Sequence, residues 1–162
     1  APQLHGGGQE QGQRSGTLYP PQIVGFAKAV ELGRAEMIAE QRRLTQLRNQ
    51  LWQTLQDLPG VMLNGHPTQR LPGNLNVSFA GVDGAALLLG LRSTVALSSG
   101  SACSAAKTSP SHVLTALGRS PNLAYATLRF GLGRTTTAAE VEHVGQAVIE
   151  TVQSLRQLNP VP

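Results

Sequence analysis

Leu75-Asn76-Val77-Ser78-Phe79 alternates apolar and polar residues, and Asp83-Gly84-Ala85-Ala86-Leu87-Leu88-Leu89 follows after Ala80-Gly81-Val82. The alternation predicts a strand with Leu75, Val77 and Phe79 on one face. Asp83 is a helix-capping residue type, and the Ala/Leu run behind it predicts a short helix through Leu91. Strand and helix therefore alternate within a few residues here, which sets the class to be tested along the rest of the chain.

Upstream, Val61 to Asn64 reads as a second strand. Before it, Pro20-Pro21 opens a helix, where proline is tolerated in the first turn. Ile23, Phe26, Ala27, Val30, Met37, Ile38, Leu44, Leu47, Leu51 and Leu55 recur at helical spacing to about Asp57. The pattern stops at Leu58-Pro59-Gly60, and its length allows a break near Gly33. Residues 1–19 form a Gly-rich polar arm without periodicity. Downstream, Val95 to Leu97 reads as a strand, residues 98–110 as a small-residue loop, and Ser111 to Leu117 as a short helix. Thr127 to Gly131 is a further strand. Thr137-Ala138-Ala139-Glu140 has the capping-box form. The helix behind it reaches about Leu158 with Val141, Val144, Val148, Val152 and Leu155 on one side. Mixed runs of this kind predict an α+β fold: a small, mostly antiparallel sheet covered by helices, with a long N-terminal linking helix.

Composition narrows the function classes. The chain has 162 residues, 40% hydrophobic and 14% charged, with a formal charge of +4. The arginines are scattered, without a basic stripe or stacking platform, so no direct nucleic-acid contact is expected. One cysteine excludes an internal disulfide. No apolar run reaches membrane-span length and no signal peptide is evident, so a cytoplasmic protein without membrane contact is expected. The opening Ala-Pro-Gln-Leu-His-Gly-Gly-Gly reads like the interior of a longer polypeptide.

Three places carry candidate chemistry. In the arm, Gly7 to Gly12 has the glycine spacing of a phosphate loop, but Gln13 and Arg14 stand where lysine and a hydroxyl are needed, which rejects a nucleotide hydrolase. What remains is either a plain turn or an anion-holding loop with Arg14, Ser15 and Thr17. Cys103, within Ser98-Ser99-Gly100-Ser101-Ala102-Cys103-Ser104, is either a small buried filler or an exposed reactive thiol; no acid or histidine adjoins it in sequence. Arg129 interrupts the apolar strand Leu128-Arg129-Phe130. A buried unpaired guanidinium is costly, so Arg129 either makes a structural ion pair, points out at an edge, or faces a ligand carboxylate, for which its planar fork is suited. The four histidines lie apart from one another and from acids, so no metal site is expected.

His5-Gly6-Gly7-Gly8 with Gln13-Arg14-Ser15-Gly16-Thr17, then Asn74 to Phe79, then Ser98 to Cys103, then Leu128-Arg129-Phe130 with Gly133-Arg134, resembles the cysteine desulfurases of the class V aminotransferase superfamily. The Ser-Ser-Gly-Ser-Ala-Cys segment is similar to the subgroup with a long, mobile cysteine loop. The resemblance covers nearly the whole chain. It implies the C-terminal part of a fold-type-I, homodimeric enzyme dependent on pyridoxal 5'-phosphate, which converts L-cysteine to L-alanine and leaves a persulfide on its own cysteine. It implies an arm, 1–19, from the end of the large domain, a linking helix over 20–57, and a small domain over 58–162 with the mobile cysteine loop at 98–110. Cys103 matches the persulfide-forming nucleophile and Arg129 the substrate-carboxylate arginine. Thr17 matches the residue that reaches the cofactor phosphate of the other subunit. The lysine that carries the cofactor has no match among these residues. A sulfur-acceptor protein, such as an iron–sulfur scaffold or a tRNA-thiolation carrier, is the implied partner. Competing readings are a non-catalytic sulfur-relay or scaffold domain, or a related lyase or aminotransferase on the same fold.

Overall fold

The computed structural model describes residues 1–99 and 110–158. Contacts divide the chain into two units, residues 1–38 and 39–162. The elements in order are α1 (Pro20–Gln56), β1 (Val61–Leu63), β2 (Asn74–Phe79), α2 (Gly84–Leu91), β3 (Ser98–Ser99), α3 (His112–Ala116), α4 (Pro121–Tyr125), β4 (Thr127–Gly131) and α5 (Ala138–Leu158). The α+β class expected from the sequence is the one found. Among the described residues no helix is long and apolar enough to cross a membrane.

In the first unit the arm closes on itself. Leu4 and Arg14 form a parallel bridge, and the Ser15 hydroxyl donates to the His5 carbonyl at 2.9 Å. Between them Glu10–Gly12 makes a short 3-10 turn, with Glu10 and Gln11 at positive φ. The arm therefore holds more local structure than its composition announces, because backbone groups and small side chains supply the bonds. Helix α1 runs unbroken through Gly33.

In the second unit the sheet order is β1-β2-β4-β3, every pair antiparallel. The register places Val61 opposite Phe79, Leu63 opposite Val77, Leu75 opposite Phe130 and Val77 opposite Leu128. Since side chains alternate across a strand, all of these share one face. That face meets Leu47, Leu51 and Leu55 of α1, Leu87 and Leu91 of α2, and Val141, Val148 and Val152 of α5 in a single core. Burying each such side chain is worth about 1.5–3 kcal/mol. Val144 and Leu155 are half-buried at its margin.

The capping signals work as read. Asp83 Oδ1 accepts from Ala86 N–H at 2.8 Å. Glu140 Oε2 accepts from Thr137 N–H at 2.8 Å, and Thr137 Oγ1 accepts from Glu140 N–H at 3.2 Å. One local expectation shifts, and one helix was not foreseen. The strand expected at Val95 to Leu97 forms instead at Ser98–Ser99, because the turn closing α2, with Thr94 and Val95 N–H both donating to Leu91 O, occupies the chain first. Helix α4 escaped the sequence reading, although Ser120 as cap and Pro121 in the first turn announce it.

Candidate active site: a cation on a polar sheet face

The face of the sheet opposite the core is polar. Asn74, Asn76 and Ser78 of β2, Thr127 and Arg129 of β4, and Ser98 of β3 fall on it by alternation and register. Ser78, Thr127 and Asn64, which follows β1, are almost fully buried. Burial of such groups demands hydrogen bonds, and they form a connected chain. Arg119 Nε donates to Asn64 Oδ1 at 2.6 Å. Asn64 Nδ2 donates to Asn76 Oδ1 and to Ser78 Oγ, each at 2.8 Å. Ser78 Oγ lies 2.7 Å from Thr127 Oγ1, which itself donates to Leu123 O at 2.6 Å. The single Thr127 proton is thus committed to Leu123, so the Ser78 hydroxyl is the donor to Thr127. Donation runs one way from a guanidinium to a carbonyl at α4.

Three arginines brace the segment that carries Asn64. Arg119 Nη2 donates to Leu63 O at 2.8 Å. Arg70 donates to the Asn64 and His66 carbonyls. Arg48, 5% exposed, donates to Leu71 O and to Asn49 Oδ1. Burial lowers the pKa of both Arg48 and Arg70 from the ordinary guanidinium value, and the Arg48 charge lowers that of Arg70 further.

Arg129 stands in the middle of this face, half-buried, opposite Asn76 on one side and Ser98 on the other. Of the readings open from sequence, a structural ion pair is not what forms. Among the described residues Arg129 has no ion pair and makes no side-chain hydrogen bond. Nor is it at a sheet edge, because β4 is flanked by β2 and β3. A half-buried guanidinium among neutral donors and without an internal carboxylate is an arrangement for an external anion.

Thr17 is exposed at the end of the arm. With Arg14, Tyr19 and Gln22 and three apolar residues it lines a hollow of about 350 Å³ that contains no carboxylate. Arg14 Nη1 donates to Gly16 O at 2.6 Å, which folds the guanidinium back beside Thr17. Cys103 lies outside the described residues, as does most of the loop expected to be mobile over 98–110. The structure thus places Arg129 and Thr17 in separate units and describes neither relative to Cys103. The polar chain around Asn64 was missed by the sequence reading; its one visible signal was the polar half of the β2 alternation, Asn76 and Ser78.

Comparison with known proteins gives a consistent answer. The chain is 50% identical over 159 residues to a protein named cysteine desulfurase IscS from Acinetobacter baumannii (strain AYE), with 98% of this chain and 39% of that relative aligned. The solved NifS-like protein from Rickettsia africae superimposes with a TM-score of 0.80 at 28% identity, over 94% of this chain and 40% of that one. A structure described as SspA in complex with cysteine matches with a TM-score of 0.59 at 32% identity, over 82% of this chain and 35% of that one. The chain therefore spans about 39% of the length of the curated relatives it matches. The aminotransferase class-V family model matches residues 4–144, and the chain belongs to that family.

Proposed function

We propose that the chain is the C-terminal portion of a cysteine desulfurase dependent on pyridoxal 5'-phosphate, which releases L-alanine from L-cysteine and holds the sulfur as a persulfide on Cys103. The observation that carries this reading is the 50% identity to a protein of that name along 98% of the chain. Arg129 supports it from geometry, as a cation in the sheet with no internal acid, suited to an amino-acid carboxylate. In this reading residues 1–19 end the large domain, 20–57 link, and 58–162 make the small domain with the cysteine loop.

The donor set of the arm fits the cofactor phosphate. Thr17 offers a hydroxyl and Arg14 a guanidinium beside a carboxylate-free hollow, which is the chemistry a phosphate requires. In a homodimer Thr17 would hold the phosphate of the partner subunit's cofactor. When bound, the cofactor supplies the electron sink that weakens the substrate C–S bond. The chain's own residues do the rest: Arg129 orients the substrate through its carboxylate, and the Cys103 thiolate takes the sulfur and passes it to an acceptor protein of iron–sulfur assembly or tRNA thiolation. The protein acts in the cytoplasm.

Arg129 gives the test. Removing a charge-assisted carboxylate contact costs roughly 2–4 kcal/mol, about 30-fold or more in apparent binding. Arg129→Ala in the full-length enzyme raises KM for L-cysteine by that factor; an unchanged KM rejects the assignment.

A further inference from the structure

The register sets Asn76 of β2, Arg129 of β4 and Ser98 of β3 in one transverse row on the polar face. A hydrogen bond orients Asn76 in that row. Its Oδ1 accepts from Asn64 Nδ2 at 2.8 Å. Asn64 is itself fixed, since its Oδ1 takes the Arg119 Nε proton and its Nδ2 also serves Ser78. Asn64 directly follows β1, which borders β2 on the side away from β4. With the Asn76 oxygen engaged by Asn64, its Nδ2 is the end of the amide left for another acceptor, and the residue paired with Asn76 across the ladder is Arg129. That Nδ2 makes no hydrogen bond among the described residues, and the row contains no carboxylate.

We propose that Asn76 is a second substrate-binding residue, its Nδ2 donating to the same carboxylate that Arg129 binds. The proposal rests on the reading of Arg129 given above. A carboxylate has acceptor sites enough for a guanidinium and an amide donor together. A neutral primary amide in its place would turn its own N–H groups against the same donors. Asn76 therefore adds discrimination for an acid over its amide, and Asn64 positions it by holding the opposite end of its side chain.

Calorimetric binding of L-alanine and of L-alaninamide to the full-length holoenzyme tests this without turnover. Asn76→Ala is expected to weaken L-alanine binding about tenfold, the loss of one hydrogen bond to a charged group, and to leave L-alaninamide within about twofold. Asn76→Asp keeps the oxygen that accepts from Asn64, so it retains the local fold, yet it sets a negative charge beside the ligand and loses more than the alanine variant does. Equal losses for both ligands in both variants overturn the inference and make Asn76 structural. Arg129→Lys separates the two levels. If it abolishes the preference for L-alanine while the Asn76 variants keep it, the assignment of Asn76 falls alone. If Arg129→Lys leaves the preference intact, the reading of Arg129 falls and takes this inference with it.

Discussion

Asn64 is the hub on which the polar face depends, and Asn64→Ala measures how much. Its side chain is buried, with 4% of the residue exposed, and makes three hydrogen bonds: one from Arg119 and one each to Asn76 and Ser78. Truncation leaves Arg119 Nε, Asn76 Oδ1 and one Ser78 acceptor site without their partner. A fully buried orphaned group, as at Ser78, costs about 1–3 kcal/mol, and the half-buried groups of Arg119 and Asn76 cost less because water reaches them. The space vacated has three polar neighbours, enough to hold a water that restores part of the loss. The net cost expected is roughly 2–4 kcal/mol, with the backbone donation of Arg70 to Asn64 retained. Native-state hydrogen exchange in the full-length protein reads this locally. Amides of β2 and β4 should lose about 30- to 1000-fold in protection. A loss below about fivefold would refute the reasoning, because it would mean that the polar chain contributes nothing water does not supply.

Three further outcomes follow from the geometry. A Cβ on Gly84 would lie 2.5 Å from the Tyr125 carbonyl carbon and 3.0 Å from Ala126 N; both are backbone atoms, so Gly84→Ala should destabilise by about 1–3 kcal/mol or more, while Gly133→Ala, with open space around it, should leave a thermal melt nearly unchanged. The Glu140 carboxylate titrates below its ordinary value because the Thr137 backbone N–H, and then its hydroxyl, favour the charged form. A depressed carboxylate stabilises above its unfolded-state pKa and loses that contribution as pH falls through the folded value. The start of α5 should therefore fray under acid, and Thr137→Ala should raise the Glu140 pKa in an NMR titration without abolishing the backbone contribution. Leu55, fully buried in the core, should cost about 2–5 kcal/mol on change to alanine, read as a lowered melting temperature.

What was legible in the sequence was what rests on local chemistry. Alternation in β2, the Asp83 cap and the Thr137–Glu140 capping box each need only a few adjacent residues, and each formed as read. The place of Arg129 was legible in part. An arginine inside an apolar strand announced that it must have a partner or a ligand, but only the sheet order shows that β4 is internal and that no acid lies beside it. The Arg119–Asn64–Ser78–Thr127 chain was not legible, because its members are separated by up to 63 residues and meet only through strand pairing. The shift of β3 to Ser98–Ser99 was equally out of reach: residues 95–97 favour a strand locally, but the turn closing α2 takes Val95, and the ladder begins where Ser98 and Ser99 pair with Arg129 and Leu128. The roles proposed for Cys103 and Thr17 rest on likeness to a family, since neither has neighbours in sequence that dictate a reaction.

The proposed function turns on Cys103 carrying the sulfur. It is tested most directly by peptide mass spectrometry of the full-length enzyme after a brief pulse of L-cysteine. One added sulfur is expected on the peptide containing Cys103, removed by a thiol reductant and lost in Cys103→Ser, with cofactor colour retained in that variant. An added sulfur that persists in Cys103→Ser, on another residue, would contradict it.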